Sequence, residues 1–135
     1  MRVRILKQQN WKLIEPVDSK GTGSVSGFLA GLGANKRAHA AGMVQLFDRA
    51  TARGPRLGTA KCHQIDGEIW ELIKGSIRVL FVHDGDQVLL LTHSFVKSSQ
   101  KTPKKEINRA KRVIADYRAA RDSNQLEWVN DQETE

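Results

Sequence analysis

The chain has 135 residues and carries 22 Lys and Arg against 15 Asp and Glu, a formal net charge of +7. That length suits one domain with a single core and is too short for two to be expected. The lone cysteine, Cys62, rules out an internal disulfide framework and a Cys-x-x-Cys zinc pair, and no apolar run approaches the roughly 20 residues that span a bilayer.

Charge is unevenly placed. All 22 cations precede Asp122, and residues 1–121 hold only ten of the acids, which leaves that body at +12. So basic a body favours nucleic acid or the ribosome as partner over an acidic small molecule, which needs only a local pocket. Residues 122–135 read as an acidic, flexible tail, with Trp128 the one residue able to dock it. His39, His63, His83 and His93 are widely spaced and form no His-x-x-x-His pair, so neither a metal nor another cofactor is expected. Met1 to Lys7 alternates charged and apolar residues and lacks a signal-peptide core, which points to the cytoplasm with no membrane association.

In chain order, Trp11 to Val17 reads as a first strand that Met1 to Leu6 extends, with Pro16 at an edge or strand end because proline cannot donate to a ladder. Asp18 to Gly23 is a flexible connection. Ser24 is placed to cap a short helix carrying Val25, Phe28, Leu29 and Leu32, ended by Gly33. Asn35 is placed to cap a second helix with Ala38, Ala41, Met43, Val44, Leu46 and Phe47 on its apolar face, closed by Gly54-Pro55. Together they predict a helical hairpin.

From Gly67 the apolar period changes from about 3.6 to 2 across Glu68–Lys74, Ser76–His83 and Gln87–Phe95. Lys74-Gly75 and Asp84-Gly85 suit tight turns, so these strands predict an antiparallel three-stranded meander. Two-residue loops pair Glu71 with Arg78 and Ser76 with His93, placing Arg78 and His93 on one face; a longer turn at Asp84 to Asp86 moves His93 to the other. Thr102 caps and Pro103 begins a last helix, with Ile107, Ala110, Ile114 and Tyr117 as its apolar stripe and Lys104, Lys105, Arg109 and Arg112 among its outward cations. The predicted fold class is α+β, a single domain over residues 1–121.

Between the last strand and the last helix runs His93-Ser-Phe-Val-Lys-Ser-Ser-Gln-Lys-Thr-Pro-Lys-Lys-Glu106, a cationic loop held between two rigid elements. Such a loop suits a polyanion, although lysine runs also serve simply to solvate a surface. Together with Phe28-Leu-Ala-Gly-Leu32, Gly67-Glu-Ile-Trp-Glu-Leu72 and Ile77-Arg-Val-Leu-Phe81, this stretch resembles the RelE/HigB superfamily of toxins, in particular its phage-derived HigB-like branch, over roughly residues 11 to 120. The resemblance implies a RelE-like fold and the toxin of a type II toxin–antitoxin pair. It further implies cleavage of messenger RNA, often on the ribosome, and neutralisation by a small helix-turn-helix antitoxin.

Metal-free RNA cleavage uses the ribose 2′-hydroxyl as nucleophile, so a protein must help remove its proton, stabilise the phosphorane and protonate the leaving oxygen. Arg78 is the candidate phosphate clamp, or else a salt-bridge partner of Glu71; Glu71 itself suits positioning Arg78 better than acting as a base. Lys97 and Lys101 are candidates for phosphate binding or proton transfer, and His93 for the general acid or base, although a strand histidine is more often packed. Lys104, Lys105, Arg109 and Arg112 are candidates for RNA binding. Trp70 and Phe95 stack a base or belong to the core. Ile73 and Ser98 stand where the family commonly carries an arginine and a second lysine. A non-catalytic nucleic-acid or ribosome-binding module and a ParE-like gyrase inhibitor are the competing readings.

Overall fold

A computed structural model describes residues 1–58, 60–98 and 101–129. The strands are β1 (Arg2–Gln8), β2 (Lys12–Pro16), β3 (Cys62–Asp66), β4 (Ile69–Lys74), β5 (Ile77–His83), β6 (Val88–Val96) and β7 (Glu127–Val129); the helices are α1 (Ser26–Ala30), α2 (Arg37–Arg53) and α3 (Lys104–Asp122). One sheet takes all seven strands in the order β3-β4-β5-β6-β2-β1-β7. The α+β class holds, and the anticipated meander is present as β4-β5-β6, but it forms the middle of a mixed sheet more than twice as wide as three strands. β2 runs parallel to β6 and β7 parallel to β1, whereas the remaining neighbours are antiparallel.

The sheet is covered on both faces, which explains why Val79-Leu-Phe-Val82 and Leu89-Leu-Leu91 are continuous apolar runs. Leu13, Leu72, Val79, Phe81, Leu89 and Leu91 pack with Met43, Leu46 and Phe47 of α2. Val3, Ile14, Leu80, Val82, Leu90 and Phe95 pack with Ala110, Ile114 and Tyr117 of α3. Met1 to Leu6 does not lengthen the first strand; β1 turns back on β2, with Val3 opposite Pro16. The acidic segment after Arg121, expected to be flexible, contributes β7, and Lys12 Nζ lies 5.6 Å from the Trp128 ring centroid. The remainder of that segment, 130–135, lies outside the described residues.

Helix starts depart from the local capping rules. The Ser24 hydroxyl donates to the Thr92 carbonyl, and the backbone N–H groups of Val25 and Ser26 donate instead to the Glu15 carboxylate of β2, each at 2.9 Å. Glu15 is fully buried, so a residue ten positions away caps α1. Asn35 lies in a 3-10 turn over 34–36, and α2 has no side-chain cap. Thr102 leaves the N-cap to Pro103 and donates its hydroxyl to Glu71 Oε2 at 2.5 Å. A side chain cap is dispensable where tertiary partners or water take the orphan donors.

Register decides the site. The β4-β5 turn is Gly75-Ser76, with Lys74 opposite Ile77, so Arg78 faces Ile73 and not Glu71. The β5-β6 turn is longer than two residues: His83 pairs with Leu89, and Gly85, Asp86 and Gln87 take positive φ. Left uncorrected, that longer turn would turn His93 toward α2. A bulge at Thr92 corrects it, since Phe81 pairs with Leu91 but Leu80 pairs with His93. One extra residue re-aims every side chain beyond it, and His93 and Arg78 end on the α3 face.

Candidate nucleic-acid interface

Beneath the start of α3, four elements converge on Glu71. This carboxylate is 0% exposed. Its Oε2 takes the Thr102 hydroxyl; its Oε1 makes no hydrogen bond and lies 3.6 Å from both Arg78 Nε and His63 Nε2. The Arg78 Nε is likewise buried without a hydrogen bond, while its Nη1 donates to the carbonyls of Gly75 at 2.7 Å and Ile77 at 3.0 Å. The guanidinium is thus tethered at the β4-β5 turn, and the Glu71–Arg78 pairing takes a diagonal geometry across the two strands. Buried polar atoms left just outside bonding distance cost about 1–3 kcal/mol each, and such orphans concentrate where a site awaits a ligand or water.

Beside this cluster lies a groove of about 400 Å³ lined by His63, Gln64, Lys97, Lys101, Thr102 and Lys104. It brings the end of β6, the start of α3 and edge strand β3 together. Lys97 is fixed there because its backbone N–H donates to the Ser76 carbonyl at 2.7 Å. Ser99 and Gln100, in the middle of the cationic loop, lie outside the described residues. Of the four cations on α3 singled out from the sequence, only Lys104 reaches the groove. Lys105 and Arg112 point outward, and Arg109 sits on the opposite flank beside Pro16, Val17 and Thr92.

Charge along α3 is partitioned. Toward its C-terminal end, cations are neutralised: Lys111 pairs with Asp66, Arg118 forks onto Glu68 with two 2.7 Å contacts, and Arg121 bonds Asp84. At its start, Lys104 and Lys105, together with Lys97 before it, make no ion pair among the described residues, nor does Arg112 in mid-helix. A helix start already bears roughly half a positive charge, so unpaired lysines there oppose the macrodipole by a few tenths of a kcal/mol each. An anion brought to this end reverses that cost.

His93 is 1% exposed, with Nε2 3.1 Å from Glu106 Oε1 and Nδ1 3.1 Å from Thr92 Oγ1, and it stacks on Phe95. Burial and the nearby Arg109 charge hold its imidazole below the usual histidine range, against the opposing pull of Glu106. The ring pins the first turn of α3 to β6. Phe95 is core, and Trp70 lies on the α2 face of the sheet, away from Arg78. Ile73, Arg78's cross-strand neighbour, presents an apolar side chain where a second cation would crowd the guanidinium.

Sequence reasoning missed His63 and the role of Thr102. Asp66-Gly67 is a tight-turn signal of the same kind as Asp84-Gly85, but a two-residue loop there sets His63 opposite Trp70; the actual turn at Gly67-Glu68 and a bulge between Gln64 and Asp66 set it opposite Glu71. No residue-level signal announces that Thr102 reaches across to β4.

The arrangement is a layered α+β protein with a groove lined by Lys97, Lys101 and Lys104, a lining suited to a polyanion. Residues 29–115 match the family model described as phage derived protein Gp49-like (DUF891), and the chain belongs to that family, a RelE-like toxin family of toxin–antitoxin systems. No curated protein matches the chain. Among the described residues, no helix is long and apolar enough to cross a membrane.

Proposed function

We propose that this chain is the toxin of a type II toxin–antitoxin pair and acts as a metal-independent endoribonuclease on messenger RNA, in the manner of the HigB-like branch. The observation that carries the reading is a groove lined by Lys97, Lys101 and Lys104 beside a buried carboxylate–guanidinium pair with unbonded atoms. Lys97, Lys101 and Lys104 draw the RNA backbone into the groove. Arg78, pre-oriented by its carbonyl contacts and by Glu71, clamps the scissile phosphate and offsets charge on the phosphorane. Lys105, Arg109 and Arg112 extend the positive field to flanking phosphates or ribosomal RNA. His93 acts from beneath, by holding α3 in place. The partner that silences the toxin is a helix-turn-helix antitoxin whose acidic surface covers this end of the molecule.

The test is controlled expression with sequencing of new messenger-RNA ends, the Arg78→Ala chain alongside. Rapid cuts within translated frames that vanish in the variant are expected. Growth arrest with intact messages would redirect the reading to gyrase inhibition, and no arrest to a plain binding module.

A further inference from the structure

Arg78, Lys97, Lys101 and Lys104 provide charge but no group whose ordinary titration range spans neutrality, and His93 is sealed beneath α3. One imidazole does line the groove. His63, on edge strand β3, is 42% exposed and stands directly opposite Glu71, with Nε2 3.6 Å from the unbonded Oε1. Glu71 in turn is held by Thr102, so the carboxylate is fixed and its free oxygen is aimed between His63 and Arg78. A carboxylate that orients an imidazole selects its tautomer: with Nε2–H toward Glu71, Nδ1 keeps its lone pair.

We propose that His63, oriented by Glu71, is the proton acceptor for the attacking ribose 2′-hydroxyl of an RNA strand held in the groove. This inference rests on the RNA-cleavage reading and goes beyond it by assigning the base. The 2′-oxygen forms a bond to phosphorus as its proton passes to His63 Nδ1, the bond from phosphorus to the 5′-oxygen breaks, and the 5′-oxygen takes a proton from water. The products are a 2′,3′-cyclic phosphate and a 5′-hydroxyl, and His63 returns its proton to solvent. The groups facing the ring are Glu71 from β4, with Arg78 of β5 behind it, Lys97 at the end of β6, Lys101 and Thr102 in the loop, and Lys104 on α3.

The experiment measures cleavage of one defined message in a reconstituted translation mixture from pH 5.5 to 8.5, using the full chain, His63→Gln and Arg78→Ala. Removing a general base is expected to slow cleavage by about a hundredfold or more, and to abolish the rising limb of the wild-type pH profile, with RNA affinity within a few-fold of wild type. The half-exposed edge position favours retention of the fold, which circular dichroism and the affinity check. His63→Ala with free imidazole in the buffer is a second arm, in which partial rescue is expected. A His63→Gln chain that cuts at the wild-type rate, or one slowed with its rising limb intact, overturns the assignment of the base while leaving the nuclease reading in place. A wild-type chain that cuts nothing overturns both.

Discussion

Thr102→Val removes the one hydrogen bond that, among the described residues, reaches the Glu71 carboxylate, while keeping the shape of the side chain. The Thr102 hydroxyl meets Oε2 at 2.5 Å, and the other oxygen has only ion-pair neighbours at 3.6 Å. A hydrogen bond to a charged group contributes about 1.5–3 kcal/mol net. Thr102 is partly exposed and water can replace the hydroxyl, which puts the expected loss in the lower half of that range, about 1.5–2 kcal/mol. For a domain of this size each kcal/mol corresponds to roughly 3–5 °C, so a fall in Tm of about 5–10 °C is expected by calorimetry. Because the bond ties the cationic loop to β4, cleavage of RNA should fall with it even below the new Tm. A double-mutant cycle with Glu71→Gln isolates the contact, and a coupling of about 1 kcal/mol or more is expected. A Tm within 1 °C of wild type, with additive effects in the cycle, would refute the reasoning.

His93 supplies a pH prediction. Its folded form is held below the ordinary value of about 6.5 by burial and Arg109, so the unfolded chain binds its proton first as pH falls. Stability is therefore complete above that value and declines as pH drops through it; urea midpoints at pH 7.5, 6.5 and 5.5 measure this, and His93→Gln should flatten part of the slope. A midpoint that rises on acidification would mean that the Glu106 contact outweighs burial. Tyr117, the one tyrosine, is pushed above the usual phenol range by burial and by donating to Asp84 Oδ2 at 2.9 Å. Absorbance at 295 nm should show no phenolate step near pH 10 in the folded chain, and stability should decline as pH climbs beyond it, because only the unfolded chain ionises there.

Local pattern determined much of this protein. Apolar runs of strand length from Glu68 onward, set apart by turns at Gly75 and Gly85, specify β4, β5 and β6, period 3.6 specifies α2 and α3, and the residue types between Phe95 and Glu106 specify a cationic loop leading into a helix. These features depend on neighbours within a few residues, which is why the chain order displays them. The short strands β3 and β7 escaped because three to five residues carry too little period to register; β7 moreover pairs with Arg2 to Arg4 at the other end of the chain. Tertiary structure alone decided the site. Whether His93 faces α3 or α2 depends on a one-residue bulge at Thr92, and Glu71 becomes the hub because Thr102, Arg78 and His63 reach it from outside its own strand. Burial leaves that carboxylate no solvent to substitute for them, so its partners are fixed by packing across the sheet and not by sequence neighbourhood.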